Sequence, residues 1–182
     1  DHSKGYVWAV HPTFDIYLAT DDGKIVKKLT DTNGYDAEAT VNFKNKKILY
    51  TSMASGDLEL WTMNEDGSNK KQVTKTEGYD GGPVFSRDGK QMVWRAYHPD
   101  TPEKKATYQA LLKENLTAPM KMELWVADGD GLAARARDPF DLRQLTRHRC
   151  GREIVVEKHI ALGERQLQAA RDVAAHRVRS GA

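Results

Sequence analysis

Two stretches of equal length decide the fold: "GYDAEATVNFKNKKILYTSM" (Gly34–Met53) and "GYDGGPVFSRDGKQMVWRAY" (Gly78–Tyr97), which begin 44 residues apart. Each writes Gly-Tyr-Asp, a β-rich run, a polar turn and a second β-rich run. The match extends upstream. "IYLATDDGKIVKKLTDTNGYD" from Ile16 pairs with "LWTMNEDGSNKKQVTKTEGYD" from Leu60, again at an interval of 44. A third copy opens at Met122 as "MELWVADGDG", parallel to "LELWTMNEDG" at Leu58, and "RQLT" at Arg143–Thr146 parallels "KQVT" at Lys71–Thr74. Self-similarity at a period of 20–50 residues marks a repeat architecture.

Within one period the chain reads as four short strands. From Tyr35 these are "EATVNF", "ILYTSM", "LELWTMN" and "KKQVTK", separated by "KNKK", "ASGD" and "EDGSN". Apolar and polar residues alternate in the runs, as half-buried strands require. Asp-Gly recurs at Asp22, Asp66, Asp88 and Asp130; glycine there accepts the positive φ of a tight hairpin turn. Residues 98–121 interrupt the period. In that insertion "TPEKKATYQALLKEN" predicts a helix over about 101–116: Thr101 caps it, Pro102 occupies its first position, and Tyr108, Leu111 and Leu112 form one apolar stripe.

Four-stranded antiparallel units of 40–45 residues have the spacing of propeller blades. The combination of an Asp-Gly strand turn, "KKQVT", "GYD" and "VFSRDGKQMVW" resembles the TolB-type β-propeller repeat, with Arg87 where that family has Pro. The first copy departs further, since "NFKNKKILY" lacks Asp-Gly. The resemblance covers about residues 14–131 and extends at most to 146. It implies an all-β fold: an incomplete β-propeller of about two to three four-stranded antiparallel blades. Complete blades fall at about 35–76 and 78–146, and 14–30 supplies the last two strands of a preceding blade. Residues 1–146 form the propeller segment and 147–182 an Arg/Ala-rich tail, with helical pattern or partly disordered.

Composition supports that division. Of 182 residues 39% are hydrophobic and 30% charged, with a formal net charge of +2, too small to argue for nucleic acid or a membrane surface. No apolar run reaches the length that crosses a bilayer as a helix. Residues 1–131 hold 17 Lys+Arg against 20 Asp+Glu, whereas 132–182 hold 11 against 6, almost all Arg. All seven Tyr and all four Trp precede residue 126. The single cysteine, Cys150, has no partner for an internal disulfide or a CxxC metal site.

No motif for catalysis stands out. There is no GxSxG elbow and no HExxH pair, and His148 beside Cys150 makes two ligands rather than a site. The Asp-Gly loops lack the further oxygen ligands of a calcium loop. The expectation is therefore no catalytic residues, no metal and no cofactor. Asp57 and Glu59, the nearest to a carboxylate pair, read as solvent-facing positions of one strand. Trp61, Trp94 and Trp125 sit at repeat-equivalent or strand positions and are expected to fill the core between sheets.

The Tyr-Asp pairs admit two readings. In propellers of the resembled kind this junction starts the innermost strand, near the central channel, so Tyr35, Asp36, Tyr79 and Asp80 would offer aromatic and acceptor groups to a peptide or small ligand. Alternatively the Asp caps the turn and the Tyr packs between blades. Tyr108, on the inserted helix, either adds a rim contact for a partner or only covers a sheet edge. The resemblance implies a non-catalytic protein- or peptide-binding scaffold, periplasmic or secreted in a bacterium. The alternatives are the gating propeller of a larger prolyl-oligopeptidase-type hydrolase, or a propeller fragment without activity of its own. Open blade faces predict self-association, or a cap from the tail.

Overall fold

The computed structural model describes residues 5–118, 121–129 and 135–137. The tail at 147–182, the Asp130–Gly131 turn, His148 and Cys150 lie outside the described residues. A first complete blade is built from β4 (Asp36–Asn42), β5 (Lys47–Ser52), β6 (Glu59–Asn64) and β7 (Lys71–Gln72), antiparallel in that order. A second follows from β8 (Tyr79–Phe85), β9 (Gln91–Tyr97), β11 (Glu123–Asp128) and β12 (Arg135–Arg137). Before them, β2 (Tyr17–Ala19) and β3 (Ile25–Lys28) form a two-stranded sheet, the outer half of a preceding blade. The fold is a partial β-propeller.

The repeat is reproduced bond by bond. Ile16 N–H donates to Thr30 Oγ1 at 2.8 Å, and 44 residues on Leu60 N–H donates to Thr74 Oγ1 at 2.8 Å. Asp36 N–H donates to Phe14 O at 2.9 Å, and Asp80 N–H to Leu58 O at 2.8 Å. A threonine hydroxyl thus satisfies the strand amide that each short outer strand leaves open, a group that would otherwise be costly to bury. The inserted segment does not disturb the register: Tyr50 lies opposite Trp61 in the first blade, and Trp94 opposite Trp125 in the second.

The glycine of Gly-Tyr-Asp is a steric requirement. At Gly78, with φ of 142°, an added Cβ would sit 2.2 Å from Tyr97 O. At the equivalent Gly34 it would meet Met53 Cβ at 2.8 Å. The chain crosses from one blade to the next where only a hydrogen fits.

Two apolar layers hold the sheets face to face. Ile48, Tyr50 and Met63 of the first blade pack on Ile16 and Leu29 of the half-blade, with Trp61 against them. Leu49 and Leu60, on the opposite side of that blade, pack on Met92, Trp94, Ala96 and Ala127 of the second, with Trp125 alongside. Trp94 therefore fills the core between sheets as expected, while Trp61 and Trp125, partly buried, pack against its edges. Alternation along β5 sends Leu49 one way and Ile48 and Tyr50 the other, so both faces of the first blade are covered.

A meander of this kind divides the wedge into two ends. The hairpin turns at 43–46, 65–70 and 86–90 lie at one end. The other, the junction end, carries the two Gly-Tyr-Asp crossings and the 98–121 insertion. There helix α1 (Pro102–Lys113) begins with Thr101 accepting from Lys104 N–H and Pro102 in the first turn. It stops earlier than the sequence pattern suggests. Asn115 takes a φ of 56°, and the chain then becomes β10 (Leu116–Thr117), paired antiparallel with β1 (Trp8–Ala9). Asn tolerates the left-handed region better than other residues with a side chain, so it ends the helix.

Candidate binding cleft at the junction end

The first strands of the two blades, β4 and β8, carry the same irregularity. Each has a bulge, between Ala37 and Thr40 in β4 and between Gly81 and Val84 in β8. At its centre sits a residue with positive φ: Glu38 at 55° and Gly82 at 60°. Glycine adopts this conformation freely, whereas a residue with a Cβ is strained there by roughly 1–2 kcal/mol. Glu38 is held by what its side chain does. Oε2 accepts from Gly82 N–H at 2.7 Å and from Thr51 Oγ1 at 2.9 Å. Tyr79 Oη lies at 3.4 Å from the same oxygen, and Arg95 Nη2 donates to Oε1 at 3.2 Å. Hydrogen bonds to a charged acceptor contribute roughly 1.5–3 kcal/mol each, enough for the Gly82 bond to outweigh the strain. The Arg95 contact adds less, being 41% exposed on the arginine side.

Around this clamp lies a cleft of about 250 Å³ lined by Trp8, Ala9, Val10, Tyr35, Glu38, Leu58, Tyr79, Arg95 and Thr117. The β1–β10 ribbon forms one wall and places Trp8 against Tyr79, with ring centroids 6.5 Å apart. The Arg95 guanidinium lies 5.8 Å from the Trp8 ring centroid, within cation–π range. Burial pushes the Tyr35 and Tyr79 phenols above their ordinary pKa, and the nearby Glu38 charge adds to the effect. Both therefore stay protonated donors at neutral pH.

The structure places the candidate residues at different depths. Tyr35 and Tyr79 both line the cleft. Asp36 and Asp80 lie behind it, with no exposed surface. Asp80 accepts from Trp94 Nε1 at 2.6 Å and faces His98 Nε2 at 3.2 Å, and Asp36 accepts from Thr32 Oγ1. Tyr108 is buried under α1, where its hydroxyl donates to Asp57 and lies 2.7 Å from Gly78 O. It fastens the helix to the Gly78 crossing.

Asp57 and Glu59 require a correction. They do not face solvent: Glu59 is 2% exposed and Asp57 is half-buried. Asp57 Oδ2 accepts from Gly78 N–H at 2.9 Å, and Oδ1 from Leu58 N–H. The inserted helix and the second blade cover what strand alternation alone would expose. Burial is the main cause that pushes the Glu59 carboxyl up to about 8, and the neighbouring Asp80 and Asp57 charges reinforce it while Thr74 opposes it.

Sequence reading missed Glu38, Arg95 and Trp8. One signal was available. The copies differ as "DAEAT" against "DGGPV", so the second glycine of the latter marks a positive-φ position that Glu38 must share. Nothing in the sequence indicates that Trp8 packs on a segment more than 100 residues away.

With this geometry in view, the comparisons with solved structures are decisive for the fold. The chain superposes on a putative TolB from Agrobacterium tumefaciens with a TM-score of 0.55 at 20% identity, covering 72% of this chain and 45% of that one. The chain folds as part of a TolB-like β-propeller. TolB from Acinetobacter baumannii gives a TM-score of 0.52 at 18% identity, over 74% of this chain and 30% of that one. The chain thus spans less than half the length of either. No protein-family model and no curated protein matches it.

A consequence for stability follows from Glu59. Its folded-state pKa is raised, so the folded chain retains a proton that the unfolded chain releases above the ordinary value of 4.5. This group favours folding most below about pH 4.5 and progressively less as pH rises to about 8. Glu59→Gln, which cannot ionise, should match wild type in urea midpoint at pH 4 and exceed it at pH 8. Equal midpoints at both pH values would show that Glu59 ionises normally.

Proposed function

We propose that the TolB-like wedge is a non-catalytic scaffold that binds a peptide or protein segment at its junction end, outside the cytoplasm of a bacterium. The supporting observation is the clamp-lined cleft: two blade crossings, the β1–β10 ribbon and three aromatic side chains converge on one concavity. Aromatic anchors in a concave pocket are the commonest energetic centres of protein contacts. The hairpin turns at the other end hydrogen-bond to one another, as Asn42 Nδ2 does to Gly89 O at 2.9 Å, and serve the framework. The extracytoplasmic location rests on the likeness to two bacterial TolB structures. Among the described residues no helix is long and apolar enough to cross a membrane.

Selection of a displayed random-peptide library against the whole chain tests this reading. Enriched peptides should lose most of their binding to Trp8→Ala, a wall substitution outside both blades. Enrichment that is indifferent to Trp8, or no enrichment at all, would remove the cleft as the binding site.

A second copy of the chain is a further proposed partner. Among the described residues β2 pairs on one side alone, with β3, and Val26 and Val84 are 58% and 50% exposed on strands of the half-blade and the second blade. Light scattering should show mass rising with concentration; a monomer throughout the micromolar range would contradict the proposal.

A further inference from the structure

The polar groups of the cleft are unevenly committed. Glu38 uses both carboxylate oxygens on Gly82, Thr51, Tyr79 and Arg95, so its acceptor capacity is largely taken. Tyr79 Oη lies within 3.4 Å of Glu38 and 3.3 Å of Arg95. The donors are freer. Arg95 is engaged through Nη2 alone among the described residues, which leaves most of the five guanidinium N–H groups. Tyr35 lines the same space, and its hydroxyl has no hydrogen-bond partner among those residues. Its phenol feels the charges of both Glu38 and Arg95, so it is close to the clamp. A ligand must therefore bring the acceptor.

Size narrows the ligand further. A cleft of about 250 Å³ falls below the roughly 300–1,000 Å³ of sites that take cofactors and drug-sized molecules. It has room for one large side chain with its adjoining polar group. Trp8, Tyr35, Tyr79, Val10 and Leu58 make the walls apolar and aromatic, which suits a ring. The cationic fork of Arg95 favours a carboxylate over a neutral carbonyl, because charge-assisted and bidentate hydrogen bonds are the stronger ones.

Deepening the peptide-binding reading on which it rests, we infer that the cleft recognises a carboxylate adjoining an aromatic side chain, with the ring against Trp8 and Tyr79 and the carboxylate on Arg95 and the Tyr35 hydroxyl. The carboxylate has two possible sources, a chain end or an acidic side chain beside the aromatic residue. Glu38 holds Arg95 and Tyr79 in place and is a positioning residue. Gly82 leaves the approach to Arg95 open, since a Cβ there would come within 2.6 Å of Nη2.

The test titrates the full chain with three probes: N-acetylphenylalanine, its primary amide, and N-acetyl-aspartyl-phenylalanine amide. The readout is the NMR signal of the Trp8 indole N–H. The free acid should bind about tenfold more tightly than the amide, a difference of about 1.4 kcal/mol. If the aspartyl amide equals the acid, the source is a side chain; if it behaves as the plain amide, the source is a chain end. Tyr35→Phe should keep the wild-type urea midpoint and lose much of the acid preference, and Arg95→Lys should lose it too. An amide that binds as well as the acid, or an acid preference intact in both variants, overturns the inference while peptide recognition stands. Absence of binding by all three probes also overturns it, and the library selection then decides separately whether peptide recognition survives.

Discussion

The bond from Gly82 N–H to Glu38 Oε2, 2.7 Å long, joins one bulge to the same bulge in the next blade, and the geometry of the cleft depends on it. Apolar packing of Leu49 and Leu60 against Met92 and Trp94 brings the sheets together but is not directional. Two sheets sharing only an oily layer can slide. The Glu38 carboxylate removes that freedom at the inner strands, because it reaches its own blade through Thr51 and the next through Gly82 and Arg95. Its left-handed backbone is a local cost that the network offsets, as strained residues at ligand sites commonly require.

From that constraint the division of labour between the two ends follows. Asp57 ties the Gly78 crossing to the start of β6, and Tyr108 ties the inserted helix to both Asp57 and Gly78. The insertion is therefore part of the junction end's framework. Its exit strand β10 pairs with β1, and β1 supplies Trp8 as a wall of the cleft. The other end, made of tight Asp-Gly and Asn-Lys turns, is joined across the blades by the Asn42 bond to Gly89 O. The buried acids among the described residues, Asp36, Glu59 and Asp80, all lie at the junction end.

Much of the fold was legible in the sequence, because a repeat states its own register. The 44-residue interval predicts that Thr30 and Thr74 act alike, and they cap equivalent strand amides. It also predicts Tyr50 and Trp94 in equivalent cores, and both are buried. The site was less legible. Tyr35 and Tyr79 could be placed near the inner strands, but their clamp was not visible, since Glu38 reads as an ordinary strand acid unless compared with Gly82. Asp57 and Glu59 were misread because strand alternation knows nothing of a helix inserted 40 residues later. Trp8 was missed for the same reason: its contact with Thr117 is made by tertiary pairing alone.

Native-state hydrogen exchange at the Gly82 amide tests the central claim most directly. If the blades are locked through Glu38, this N–H in a bulge, with no ladder partner of its own, should be protected nearly as well as the Asp80 amide. Glu38→Ala should accelerate its exchange by more than about tenfold, a loss of about 1.4 kcal/mol, while the Leu60 amide in the first blade stays as slow as before. A Gly82 amide that exchanges freely in the wild-type chain, or one that ignores the substitution, would contradict the account.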